Sequence, residues 1–370
     1  MKRVLTCLGG MLLSGCLISA AYGGAIENKT NWSAEYIRTL NRNAATDYAD
    51  IAAYNPAGTV KLQDGFTING SAQYLGKEYK NNINGTSFDS DEPSVVPGVF
   101  GVYNRDKWSV FGSVTVVGGG GKVDFSQGNW TTAQATFYLS NFYAPGSQPS
   151  AQLTGESFYL GYTLGGAYEV NDIFSFSVGL RYVDAHTEAS GSVNYTGLPS
   201  PALISYEQDG DGWGGIFGIN IAPNDKFNIG MRFETNTNID KDTTVIQDTT
   251  EGFPALPASL LAALGVVDGA ASPRDLPGLV ALGVSYWITP QLRIETNYTQ
   301  YLNTNADWGG AEDLVNDGYD LGVTLEYHFN DSLLASIGYL RTVLGVDADE
   351  MLPENPELDA NTIGAGIAYA

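Results

Sequence analysis

Two histidines, His186 and His328, are the only imidazoles in 370 residues that could work as a general acid or base near neutral pH. His186 has Asp184 and Glu188 close by in sequence and His328 follows Glu326, but no nucleophile, metal-ligand or nucleotide-binding spacing accompanies either. Catalysis is therefore not expected, and neither is a cofactor or a metal. Arginine offers a different chemistry. Arg181, Arg232 and Arg293 fall in segments that also place Glu169, Glu234, Glu295 and Glu326 in one alternating phase. A guanidinium in that phase could hold a ligand carboxylate by a bidentate pair. The same charges could instead neutralise one another or pin a neighbouring segment, and the sequence leaves both open.

The elements that carry these charges read as strands. Phe174, Phe176, Val178, Leu180 and Tyr182 alternate with Ser175, Ser177, Gly179 and Arg181, and Leu321 through Phe329 alternate with Asp320 through His328 in the same way. A soluble sandwich alternates too, so connection lengths must decide. Short connections at 104–107, 171–172, 223–226, 289–290 and 330–331 alternate with long ones near 79–93, 125–152, 196–203, 241–273, 304–317 and 343–358. That is the pattern of an outer-membrane barrel with short periplasmic turns and long outer loops. Phe100, Trp108, Tyr168, Phe174, Phe227, Tyr286, Phe329 and Tyr369 sit beside the short turns, where an interfacial aromatic girdle is expected. The expected fold is an all-β, antiparallel transmembrane barrel of twelve strands, from near Gly65 to Tyr369.

Lys2 and Arg3, an apolar run to residue 18 and small residues from Ser19 to Ala25 read as a secretory signal over 1–25. Leu13-Ser14-Gly15-Cys16 also has the look of a lipobox, so lipidation at Cys16 competes with ordinary cleavage. With ordinary cleavage both Cys7 and Cys16 are lost, which excludes disulfides and thiolate metal sites. The mature chain then has 16 basic and 41 acidic residues, a formal charge of about −25 that would repel nucleic acid. No segment after residue 25 approaches the roughly 20 apolar residues of a membrane helix.

Two outer loops are greasier than water-facing segments should be. Residues 252–267 contain a short helix after Pro257 that places Leu260, Leu261, Leu264 and Val267 on one face, with Phe253 ahead of it. The 125–152 loop adds Trp130, Phe137 and Phe142. Together they could capture an alkyl chain or small arene at about 0.8 kcal/mol per buried CH₂, or they could simply pack on one another as a cover.

Between the signal and the first strand lies SAEYIRTLNRNAATDYADIAAYNPAG at 33–58, in which Asn55-Pro56-Ala57-Gly58 predicts a tight rigid turn and Tyr36–Asn43 a helical tract. Arg38 and Arg42, at i,i+4 spacing on that tract, could pair with lumenal carboxylates. The 33–62 segment resembles the amino-terminal hatch of the outer-membrane long-chain fatty acid transporter family, which also includes importers of toluene and other hydrocarbons. LPGLVALGVSYWITPQLRIETNYTQY at 276–301 and the stretch 319–339 resemble that family's later strands.

The resemblance implies a hatch over 26–62, a barrel over 63–370, and passive import of a hydrophobic small molecule that leaves sideways into the membrane lipid once the hatch shifts. A monomer is expected, with no nucleic-acid partner. Asn55, Pro56 and Ala57 match the hatch motif directly, whereas the family's ligand contacts cannot be carried over because the loop lengths differ. The family's barrel has fourteen strands. A twelve-stranded relative, an unrecognised hairpin within 241–273 and an early chain end all remain open. The competing functions are a general diffusion porin and a surface adhesin.

Overall fold

The computed structural model describes residues 26–83, 85–143, 150–347 and 358–369. The expected signal and both cysteines lie outside them, as does most of the long connection expected at 343–358. The strands are β1 (Gly65–Leu75), β2 (Tyr79–Ile83), β3 (Thr86–Ser90), β4 (Ser94–Arg105), β5 (Trp108–Phe125), β6 (Ser150–Glu169), β7 (Phe174–Asn194), β8 (Ala202–Asn224), β9 (Phe227–Glu234), β10 (Asp240–Asp248), β11 (Ala271–Pro273), β12 (Leu279–Trp287), β13 (Leu292–Tyr301), β14 (Gly318–Asn330), β15 (Leu333–Val343) and β16 (Ala360–Tyr369). Omitting β2, β3, β10 and β11, the rest run as one antiparallel path of twelve, each pairing with the next. β2 and β3 make a separate hairpin in the first outer loop.

Alternation sets the wall. Along β7, Ser175, Ser177 and Arg181 are buried while Phe174, Phe176, Val178 and Leu180 are exposed on the opposite face. A band of large exposed apolar side chains recurs around the sheet, and only lipid accommodates it. Its lower limit is marked by Trp108, Tyr168 and Phe176, which are register partners in turn. Six residues along, Tyr162, Tyr182 and Trp213 form a second aromatic row, with neighbouring ring centroids 6.2 and 5.1 Å apart. Just past that row the outward positions become Asp184, His186 and Glu188 on β7, facing Asp211, Asp209 and Glu207 on β8. Strands β6 to β8 are 20, 21 and 23 residues long, about twice the ~9–11 that cross a bilayer, so their outer halves stand clear of it.

The region 241–273 does hold extra strands, yet they add no crossing. β10 pairs with the outer half of β8, and β9 pairs with its inner half. β10 and β9 are thus one wall strand interrupted at 235–239, and β11 and β12 are a second interrupted at 274–278. At the interruption the chain folds into the lumen over Gly210 and Gly212 of β8, whose Cβ atoms would stand 2.5 and 2.2 Å from the Asp240 and Asn238 carbonyls. Among the described residues no ladder joins β1 to β16. Helix α1 (Ala34–Thr39) lies inside this seam, where Glu35 accepts a 2.8 Å hydrogen bond from Asn69 of β1 and Arg38 packs on Gly366 of β16.

The lumen is filled rather than open. Trp32, Tyr36 and Leu40 of the amino-terminal segment and Tyr54, which ends its second helix α2 (Ile51–Tyr54), form one buried cluster with Phe100, Val102, Phe111, Tyr159 and Val183 of the wall. Phe100, expected in the girdle, therefore points inward and is fully buried. The parity expected for a watery lumen fails here because the hatch gives inward positions an apolar partner.

Candidate functional site

Three regions make the site: an apolar outer cluster, the hatch, and a break in the wall. The outer cluster rests on two capped helices. In α3 (Trp130–Ser140), Asn129 accepts from the Thr132 N–H at 3.0 Å while the Thr132 hydroxyl accepts from the Asn129 N–H at 2.8 Å. In α4 (Leu260–Ala263), Ser259 Oγ accepts from the Ala262 N–H at 3.0 Å. Leu260, Leu261 and Leu264 are buried against Ala135 and Leu139 of α3 and against Val193, Ile204 and Tyr206 on the outer ends of β7 and β8. Phe253 is buried edge-on to Tyr143 at 6.0 Å. The structure does not bring together the rest of the expected set. Phe137 and Phe142 are exposed, Trp130 is half-buried and Val267, expected on the greasy face, is 52% exposed. The remaining cavity between the two loops is only about 10 Å³, so in this state they cover each other.

In the hatch, α1 begins at Ser33, whose hydroxyl accepts from the Tyr36 N–H at 3.0 Å, and stops where Leu40 turns left-handed at φ 57°. The tract expected to reach Asn43 therefore ends at Thr39. Arg38 reaches the wall and pairs with Glu326 of β14. Arg42 does not. It is off the helix and pairs with Asp47 and Asp50 inside the hatch, each at 2.6 Å. The NPAG segment is a short 3₁₀ helix, Pro56–Lys61, rather than an isolated turn. Gly58 matters for closeness: a Cβ there would stand 2.5 Å from Asn55 Nδ2, the atom that donates to Ala45 O (2.9 Å) and to Asn220 of β8 (2.8 Å). Ala57 O accepts from Ser175 Oγ at 2.7 Å, so the motif is fastened to two wall strands.

The lumenal arginines are paired and buried. Arg181 and Arg232 share Glu234 at 2.6 and 3.0 Å, and Arg232 also donates to the Ala53 carbonyl of the hatch. Arg293 meets Glu326 at 3.1 Å and Asp47 of the hatch at 3.5 Å. Each of the three thus has a carboxylate partner, and Arg232 and Arg293 also touch the hatch. His328 Nε2 lies 3.0 Å from Glu326, and His186 Nδ1 lies 2.6 Å from Asp209 on the outward face.

The break in the wall was not anticipated. β4 and β5 pair from Arg105–Trp108 only as far as Gly98–Thr115, although β4 stays on β1 to Ser94 and β5 stays on β6 to Phe125. Beyond Thr115 the two strands part. β5 bulges at Gly118 and again before Gly121, with Gly119 at φ 85° and Gly121 at φ 74°, backbone that an L side chain rarely adopts. The parted strands leave a cavity of about 200 Å³ lined by inward-facing Leu75 and Val96 and by outward-facing Val95 and Phe158. It lies just beyond the outer aromatic row, since Val114 is the register partner of Tyr162. The hatch closes it from inside. Asn28 bridges to Gly118, the Lys29 N–H donates to Val117 O at 2.8 Å, and the Trp32 indole donates to Val116 O at 2.8 Å. The readable signal was the run Gly118 to Gly121 inside a strand pattern, which marks a bulge.

No family model matches the chain, and no curated protein matches it. Solved structures do. A TodX deltaS2S3 mutant monoaromatic hydrocarbon channel superposes at a TM-score of 0.68 with 13% identity, covering 93% of this chain and 90% of that one. A Pseudomonas aeruginosa FadL homologue gives 0.65 at 13% identity, covering 93% and 87%. The Ralstonia pickettii toluene transporter TbuX gives 0.63 at 13% identity, covering 90% and 89%. The chain shares the fold of these structures.

Proposed function

We propose that this chain, a barrel of the fold found in the hydrocarbon and fatty acid transporters, sits in the bacterial outer membrane and imports hydrophobic small molecules down their gradient. The observation that carries this reading is the wall break between β4 and β5 that the hatch covers with Asn28, Lys29 and Trp32. A lumen packed with side chains is a poor water channel, and an opening to lipid is of use only to cargo that prefers lipid. Cargo is first taken from water when the two outer loops part and expose Leu260, Leu261, Leu264 and Phe253, each buried CH₂ contributing about 0.8 kcal/mol. It then displaces the hatch from the bulge and leaves sideways between the parted strands. The similar structures named as hydrocarbon channels or toluene transporters support the hydrophobic class of cargo.

The test is uptake of labelled oleate and toluene by cells whose own importer is deleted, comparing the full chain with a variant whose Asn55-Pro56-Ala57 turn is disrupted, at equal surface expression. Uptake of either compound that changes with the variant supports hatch-gated import. Passage of small sugars without uptake of either makes the protein a diffusion porin. Uptake of none leaves a surface-binding role.

A further inference from the structure

The cavity at the wall break has a polar end that neutral hydrocarbon would not use. Lys77, two residues past the end of β1, reaches back to the bulge of β5 and donates to Gly120 O at 2.8 Å. The Ser94 hydroxyl, on the first residue of β4, is buried and has no hydrogen-bond partner among the described residues. These two donors converge. Ser94 Oγ and Lys77 Nζ stand 2.4 and 2.9 Å from the point a Gly121 Cβ would occupy, so the absence of a side chain there is what leaves the notch open.

The notch is charged as well as polar. The chain has only 18 basic residues against 41 acidic ones, yet Lys29, Lys77 and Lys122 all line this one cavity, with Glu156 the single acid among its lining residues. No ion pair to Lys77 or Lys122 occurs among the described residues, whereas Lys61 and Lys80 elsewhere each have one. Burial holds the Lys77 ammonium down to about 8, with Glu156 only partly opposing. The rest of the lining is greasy: Val95, Val96, Val116 and Phe158. A cavity with two converging donors at one end, an apolar wall at the other and a position at the outer edge of the lipid band is complementary to an amphiphile.

We propose that Lys77 and Ser94 bind the anionic head of a single-chain amphiphile, a carboxylate in the first instance, while its chain lies along Val95, Val116 and Phe158 towards the lipid. This rests on the import reading for its place in the route and assigns the cargo to acids rather than neutral arenes. The head is held at the polar boundary as the tail enters the membrane. About 200 Å³ takes a carboxylate and several methylenes, not the diphosphorylated, many-chained head region of a large lipid.

The experiment compares decanoate with decanol, which share a chain and differ in charge, on the full chain and its Lys77→Gln and Ser94→Ala variants. Calorimetric titration in a neutral detergent reads binding, and protein-dependent flux into cells whose own importer is deleted reads transport. Retention of the barrel is checked by heat-dependent gel mobility. The proposal expects decanoate to bind wild type at least tenfold more tightly than decanol does, Lys77→Gln to lose about tenfold for decanoate, Ser94→Ala several-fold, and decanol to change less than twofold. Equal losses for both probes, or none for either, would overturn it. Competitive loss of decanoate binding when phosphatidylglycerol is added would reassign the notch to a lipid phosphate and overturn the cargo assignment. Lysine-dependent decanoate binding with no flux of either probe would leave the site standing and refute the import reading instead.

Discussion

The indole N–H of Trp32 donates to the Val116 carbonyl at 2.8 Å, linking the hatch to the last regular residue of β5 before its glycine bulge. That carbonyl belongs to a strand whose β4 partner has already left, so the hatch supplies a hydrogen bond the wall lacks. Trp32→Phe keeps an aromatic ring beside Tyr54, 5.1 Å away in the native pair, and deletes the donor together with part of the indole's volume. The buried carbonyl it abandons is penalised by about 1–3 kcal/mol, which loosens the covered state. Hydrophobic uptake should rise or lose its lag, and the leak of small ions through single barrels in planar bilayers should increase. Unchanged leak and uptake would show that the contact does not hold the break closed.

Capture by the outer loops makes a separate prediction. Leu261 is 1% exposed within the α3–α4 cluster, so Leu261→Asp places a charge where only apolar atoms pack and α4 must leave its seat. Uptake at low substrate concentration should fall about tenfold, while hatch-dependent leak should stay at the wild-type level because the change is remote from Trp32 and Val116. A matching fall at saturating substrate would mean that the loops act on passage rather than on capture.

Lys77 gives the notch a pH profile. Its ammonium, held down to about 8 chiefly by burial and further by Lys29, with Glu156 and Glu92 pushing the other way, is charged below that value and neutral above it. A carboxylate prefers the charged form, so decanoate affinity should be full near pH 7 and fall as pH rises through 8 and 9 to a floor about tenfold lower, the level of Lys77→Gln, with decanol flat across the range. A flat decanoate profile would indicate that another cation holds the head.

Much of this architecture was legible because alternation and turn length are local. The Phe174–Tyr182 stretch fixed which face of β7 meets lipid, and the Asn104–Lys107 and Pro223–Lys226 turns separated the inner end from the outer one. Phe100 was misplaced because inside and outside differ by chemistry only if the lumen is wet, and there the hatch makes it apolar. The wall break escaped for another reason. Its polar end joins Lys77 just past β1, Ser94 at the start of β4 and Gly121 in the bulge of β5, and no spacing along the chain records that they meet. Arg42 was assigned to the wall by helical spacing, yet the left-handed Leu40 ends the helix first and turns Arg42 back onto Asp47 and Asp50.

Asn55 and Gly58 test whether the hatch motif acts as a seat. Asn55→Ala removes the donor shared by Ala45 O and Asn220 Oδ1; Asn220 keeps Asn228 Nδ2 at 2.9 Å, but the buried Ala45 carbonyl loses its partner, at about 1–3 kcal/mol. Gly58→Ala inserts a methyl 2.5 Å from that same Nδ2, so it should act by driving Asn55 from its partners rather than by straining a backbone that has no positive φ at this residue. If both substitutions break one contact, the double variant should be no leakier than the worse single one. Leak measured in planar bilayers for the two singles and the double decides this. Additive leak would mean that Gly58 holds the 3₁₀ segment independently, and wild-type leak in all three would mean that the seat rests on Ser175 and the arginine pairs instead.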